Sequence, residues 1–137
     1  MGSISVSHTI GDQFSLRIRG HSLVVDQPVE AGGEDAGPTP TELFVAGLAA
    51  CSGFYAGRFL RRHDLPVEGL GIECDFAMSG DRPARVNRID IRLALPDSFP
   101  EDRLEALTRV VEHCTVHNSL RQAPEIHLSL QQAALAG

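Results

Sequence analysis

Three thiols, Cys51, Cys74 and Cys114, are the side chains of this sequence best suited to chemistry. An odd number of cysteines spaced this widely does not make a disulfide framework, and in a reducing compartment such thiols either fill a core or do redox work. Cys51 falls twelve residues into a predicted helix, too deep for the helix N-terminus to lower its pKa, so a thiolate there needs a side-chain cation. The plainer alternative is a cysteine filling a small gap in an apolar helix, and Cys74, on the inward face of an alternating strand, reads as that case. Cys114 shifts the balance, because it ends the apolar stripe of a second helix that has to pack against the first. Two thiols can then face each other. Near a helix C-terminus the dipole disfavours a thiolate, which suits Cys114 as a resolving thiol and leaves Cys51 to attack. His113, Cys114 and His117 also raise a zinc reading, with Cys51 as a fourth ligand. Against it, His113 and Cys114 are neighbours on a helix and diverge by about 100°, and no C-x-x-C pair is present. No metal or cofactor is expected, and the missing G-x-S-x-G elbow, phosphate loop and G-x-G-x-x-G remove those enzyme classes.

The elements that hold these thiols follow from hydropathy patterning. Ile4, Val6 and Ile10, then Phe14, Leu16 and Ile18, alternate with polar residues, and Leu23 to Asp26 is a third apolar run, so residues 4–26 predict an antiparallel meander. Residues 27–37 carry Gly and Pro enough for a loop. Thr39-Pro40-Thr41-Glu42 predicts a helix start: Thr39 caps, Pro40 takes the first position and Glu42 reaches back to the cap amide. From Leu43 to Cys51 the helix has no polar face, so it needs cover on all sides. It runs to Arg61-Arg62-His63, and at roughly 35 Å it is as long as the domain is wide. One small chain cannot wrap it, which predicts a dimer. Leu70 to Met78 and Ile89 to Leu95 alternate as two strands of a half-exposed hairpin. Ser98-Phe99-Pro100-Glu101 predicts the start of a second helix, with Leu104, Leu107, Val111 and Cys114 on its apolar stripe. After a polar break at His117 to Gln122, Pro124 predicts a last strand with Ile126, Leu128 and Leu130 inward.

At 137 residues the chain predicts one α+β domain spanning 1–137. Twelve Lys and Arg against eighteen Asp and Glu leave a net charge of −6, and no basic run offers a footprint for phosphates, so nucleic acid is not an expected partner. Residues 1–10 lack the basic and apolar regions of a signal peptide, which predicts a cytoplasmic protein without a membrane partner.

Gly37-Pro38-Thr39-Pro40-Thr41-Glu42-Leu43, leading to Leu48-Ala49-Ala50-Cys51, and the later Cys114-Thr115-Val116-His117-Asn118-Ser119-Leu120 resemble the osmotically inducible protein C (OsmC) and organic hydroperoxide resistance (Ohr) family. The resemblance runs from about His21 to Leu130. It implies an OsmC-like fold, antiparallel sheets wrapped around two long central helices in a swapped homodimer. It also implies reduction of organic hydroperoxides without metal or flavin. Cys51 would become a sulfenic acid and Cys114 would condense with it to a disulfide, reopened by a dithiol such as a lipoylated protein. The alternative within the same family is a dimer without turnover that binds an apolar small molecule or senses oxidants through the same thiols. The family's peroxidases resemble each other in an Arg that holds the thiolate and a Glu ten residues before the Cys. Here that place is Thr41, and Glu42 lies one residue later. Between Gly20 and Gly57 there is no Arg or Lys, which leaves Arg17 and Arg19, on the predicted second strand, as upstream cations. On one straight helix Glu42 and Cys51 lie on opposite faces, roughly 13 Å apart along the axis. Their partners are therefore expected from the second subunit, with Arg19 preferred over Arg17 because it is nearer the turn.

Overall fold

The computed structural model describes residues 1–132. The described chain separates into two compact units, one of residues 1–43 together with 126–132, the other of residues 44–125. The first opens with the expected meander: β1 (Ile4–His8), β2 (Phe14–Ile18) and β3 (His21–Val25) pair antiparallel in that order. Ile18 faces His21 across a two-residue turn. This corrects the placement of Arg19, which is not on the strand but in that turn, at φ 53°. The two-residue turn puts its positive φ on Arg19, a conformation that a residue with a side chain rarely adopts. Arg17 does lie on β2, opposite Ser5 and Ser22, and is exposed.

Asp26, directly after β3, organises the loop that follows. Its side chain is 1% exposed, and its carboxylate accepts the N–H groups of Gln27 at 2.7 Å, Glu34 at 3.1 Å and Ala36 at 3.0 Å. A carboxylate taken out of water is tolerable only with such a full set of donors. The loop is closed tightly enough that a Cβ at Gly33 would run into the Gln27 carbonyl and one at Gly37 into that of Val24.

Helix α1 (Pro40–Arg62) begins as its sequence predicts. Glu42 N–H donates to the Thr39 hydroxyl at 3.0 Å and Thr39 N–H donates to the Glu42 carboxylate at 2.9 Å, a closed capping box. Val45, Leu48, Ser52, Ala56, Phe59 and Leu60 are its buried residues. The same chain does not cover it all round, for Phe44 stays 45% and Phe54 53% exposed. In the second unit, β4 (Gly71–Met78) and β5 (Val86–Ala94) form the expected hairpin, with Cys74 opposite Ile91 and a bulge at Ala77/Met78. Arg92 on its outer face binds Asp75 at 2.8 Å and Glu73 at 3.5 Å. The core gathers Ala56, Phe59, Leu60 and Leu107, with Leu70, Leu93 and Phe99 packed around them. Gly53 brings α1 down onto β4, where an added Cβ would lie 2.9 Å from the Ile72 Cδ1.

Three expectations fail after this point. Ser98 does not cap the second helix: a 3₁₀ turn at Glu101–Arg103 intervenes, and α2 (Leu104–Glu112) starts without a side-chain cap. Cys114 does not end α2, which stops at Glu112; the supposed polar break is itself a helix, α3 (Thr115–Arg121), and Cys114 is its N-cap. The last strand joins neither sheet, and Ile126, Leu128 and Leu130 are 86%, 87% and 90% exposed. The alternation is real, but period two names the face of a strand and does not supply the neighbour whose hydrogen bonds make one.

Candidate dithiol site

Cys51 is half-buried on α1, twelve residues from its start, and Cys114 is fully buried at the head of α3. The Cys51 thiol lies close enough to act on Cys114. The Cys114 thiol is pushed above the usual range first by burial. The His117 N–H, which donates to its sulfur at 3.3 Å, pulls the other way and is outweighed. A half-buried thiol beside a fully buried one that keeps its proton has the layout of a nucleophile next to a resolving partner. The reason for a protonated Cys114 differs from the expected one. The helix C-terminus invoked from sequence is absent, and desolvation keeps Cys114 protonated.

Sequence reasoning missed the groups that frame this pair. The Tyr55 and Thr115 hydroxyls share a hydrogen bond of 2.9 Å. Tyr55 is one turn beyond Cys51 on α1 and Thr115 directly follows Cys114, so this bond ties together the two elements that carry the thiols. The spacing Cys51 to Tyr55 put both on one helical face and was the available signal. His113 and His117 do not converge with Cys114: the His113 Nδ1–H donates to the Arg109 carbonyl at 2.6 Å, while His117 meets Cys114 through its backbone. Cys74 is half-buried on β4, its thiol pushed up mainly by burial and then by the Asp75 carboxylate. Glu42 is held in the capping box, and Arg19 stands exposed at the β2–β3 turn.

The sequence model for OsmC-like protein matches residues 32–129, a span holding both thiols and the Thr39–Glu42 start of α1. The chain belongs to the OsmC-like protein family. Solved structures agree on the fold. A Psychrobacter arcticus protein named for osmotic stress induction and a detoxification response superposes with a TM-score of 0.78 at 21% identity, over 87% of this chain and 88% of that one. The OsmC-like protein of Mycoplasma pneumoniae gives 0.76 at 16% identity, over 90% and 89%. The organic hydroperoxide resistance protein OhrB of Bacillus subtilis gives 0.64 at 17% identity, over 90% and 92%. The α+β, OsmC-like architecture read from the sequence is thereby established. No curated protein matches the chain in sequence.

Proposed function

We propose that this OsmC-like protein is a cytoplasmic, thiol-dependent peroxidase acting on organic hydroperoxides. The observation that carries the reading is the half-buried Cys51 thiol beside the fully buried Cys114 thiol, whose pKa is raised chiefly by burial. The Cys51 thiolate attacks the outer oxygen of ROOH; the O–O bond breaks, ROH leaves after taking up a proton, and Cys51 becomes a sulfenic acid. The Cys114 sulfur then attacks the Cys51 sulfur, water leaves, and a Cys51–Cys114 disulfide forms. A dithiol, such as a lipoyl group on a partner protein, reduces it and is itself oxidised to a disulfide. Raising the Cys114 pKa protects that thiol from direct oxidation until the sulfenic acid next to it makes attack productive.

The working form is a homodimer. α1 is long and apolar enough to cross a membrane by length and composition, and in this family's fold the cover it lacks is supplied by a second copy. The exposed Phe44 and Phe54, and the unpaired alternation at Ile126, Leu128 and Leu130, are the surfaces to be covered. With Glu42 engaged in capping, the cation that stabilises the Cys51 thiolate is assigned to the partner's β2–β3 turn, with Arg19 as its source. Mixing Cys51→Ser chains with Arg19→Ala chains should then restore part of the activity that each lacks; no recovery after confirmed subunit exchange sinks the shared site.

The test of the function itself is stopped-flow reduction of cumene hydroperoxide in the presence of dihydrolipoamide, with peptide mapping of the oxidised protein. Turnover with a Cys51–Cys114 link and a free Cys74 is the expected result. A second reading, a binder of apolar molecules without turnover, has one observation in its favour. A cleft of about 430 Å³ between β5 and α2 is lined mainly by Ile, Leu and Val. Saturable binding of an apolar dye with no hydroperoxide consumption would select it.

A further inference from the structure

A second cleft, of about 390 Å³, lies between the C-terminal half of α1 and the end of α2. Its walls are apolar, built from Tyr55, the buried Phe59 ring and Val110, but it also carries two guanidiniums and two imidazoles, those of Arg58, Arg62, His63 and His113. Among the described residues no carboxylate lines it. The cleft is thus basic in a chain whose net charge is −6. Elsewhere four guanidiniums sit in ion pairs: Arg85 with Asp81, Arg88 with Asp90, Arg92 with Glu73 and Asp75, and Arg109 with Glu105. Arg58 instead lies over the Phe54 ring at 5.4 Å. Arg62, four residues on and therefore on the same face of the helix, forms no ion pair among the described residues.

The two imidazoles are oriented by the backbone. Nδ1–H of His63 donates to the Phe59 carbonyl at 2.8 Å and Nδ1–H of His113 to the Arg109 carbonyl at 2.6 Å, since a carbonyl can only accept. Each ring therefore keeps Nε2 for a ligand, and His63 is further fixed by stacking on Phe59 at 4.1 Å. Free Nε2 edges would also suit a metal ion, but two guanidiniums beside them repel a cation and attract an anion. Arginine forks match the planar, two-oxygen edge of a carboxylate, and the aromatic and aliphatic walls match an apolar body behind it.

We infer that the α1–α2 cleft is a binding site for a small organic carboxylate, held by Arg58 and Arg62 with its apolar part against Phe59 and Val110. The site does not depend on thiol turnover, and its test reads binding alone. Calorimetry and amide ¹⁵N shifts on the full chain with sodium benzoate should show saturable binding, with the largest shifts at residues 58–63 and 110–113. Neutral benzyl alcohol, which keeps the ring and loses the charge, should bind at least about tenfold more weakly. Inorganic phosphate, which keeps the charge and loses the ring, should do the same. Arg58→Gln and Arg62→Gln should each weaken benzoate several-fold. If Arg58→Gln perturbs folding by losing its contact with Phe54, the exposed Arg62→Gln carries the test, with a thermal melt to confirm that it is folded. Absence of saturable benzoate binding, benzyl alcohol or phosphate binding as tightly as benzoate, or an unchanged affinity in folded Arg62→Gln would each overturn the assignment.

Discussion

Two buried acids in this protein end in opposite states, Asp26 in the N-terminal unit and Cys114 in the second. Both lose their water and both receive backbone N–H groups. Asp26 has its pKa lowered, chiefly by the Ala36 N–H and further by those of Gln27 and Glu34, which together outweigh its burial. Cys114 has its pKa raised, because burial dominates and the N–H of His117 reaches a diffuse sulfur at longer range. The lesson is that burial alone does not decide charge; the number and hardness of the donors around the acid do. One arrangement makes a permanent anion that closes a loop. The other stores a proton that must leave when the thiol reacts.

The contrast can be broken hardest at the thiols. Cys51→Ser should lower hydroperoxide reduction by at least about a hundredfold, because an alcohol does not ionise as a thiol does. Cys114→Ser should preserve the first peroxide-consuming event but stall there, leaving a sulfenic acid on Cys51 that dimedone labels in intact-mass spectra. Rapid multiple turnover by that variant would remove Cys114 from the resolving role.

The Asp26 side is broken by Asp26→Asn, which keeps shape and loses charge. It should lower the thermal midpoint by several degrees at neutral pH. The pH dependence has a definite sign. A carboxyl whose folded pKa lies below its unfolded value stabilises the fold fully above the ordinary carboxylate range and loses that contribution as pH falls through the lower folded value. The gap between wild type and Asp26→Asn should therefore close in acid. A gap that is constant with pH would mean that the charge of Asp26 is not what the loop needs.

Smaller effects sharpen the picture. Tyr55→Phe should cost about 0.5–1 kcal/mol in denaturant unfolding, the usual net worth of one hydroxyl hydrogen bond. Cys74→Ala should cost about 1 kcal/mol or less at a half-buried site and leave turnover intact. A large loss of activity in Cys74→Ala would bring the third thiol into the chemistry.

What could be read from the sequence is what local chemistry dictates. The start of α1 was legible because Thr39 and Glu42 satisfy each other within one turn, and the β4–β5 hairpin because its alternation runs over eight and nine residues. The head of α3 was not. No Gly or Pro separates α2 from α3; His113 closes α2, and the cap of α3 is a cysteine, which is absent from the usual ranking of N-caps. Cys114 was thus placed correctly as inward but on the wrong helix. Arg19 was misplaced because continuing the strand's alternation through Ile18 took no account of the turn that Gly20 signals. The exposed strand-like tail could be recognised by pattern alone, but the edge it needs does not follow from that pattern. The single-domain reading, the oligomer and the roles of Arg19 and Glu42 rest on relations that hydropathy does not encode.

The bulge at Ala77/Met78 has a consequence for the crowded interior of a cell. A two-stranded hairpin offers backbone donors and acceptors along both sides, and any extended chain that meets it can prolong the ladder into a fibre. By breaking the register next to the Ser79–Arg85 turn, the bulge bends that end of the hairpin away from the flat geometry on which such growth depends. Charge adds to this, since Glu73, Asp75 and Arg92 stand on the outer face, and identical strands stacked in register would set like charges side by side. The same irregularity that disturbs the fold's local order thus helps to keep a freshly made chain from nucleating an aggregate.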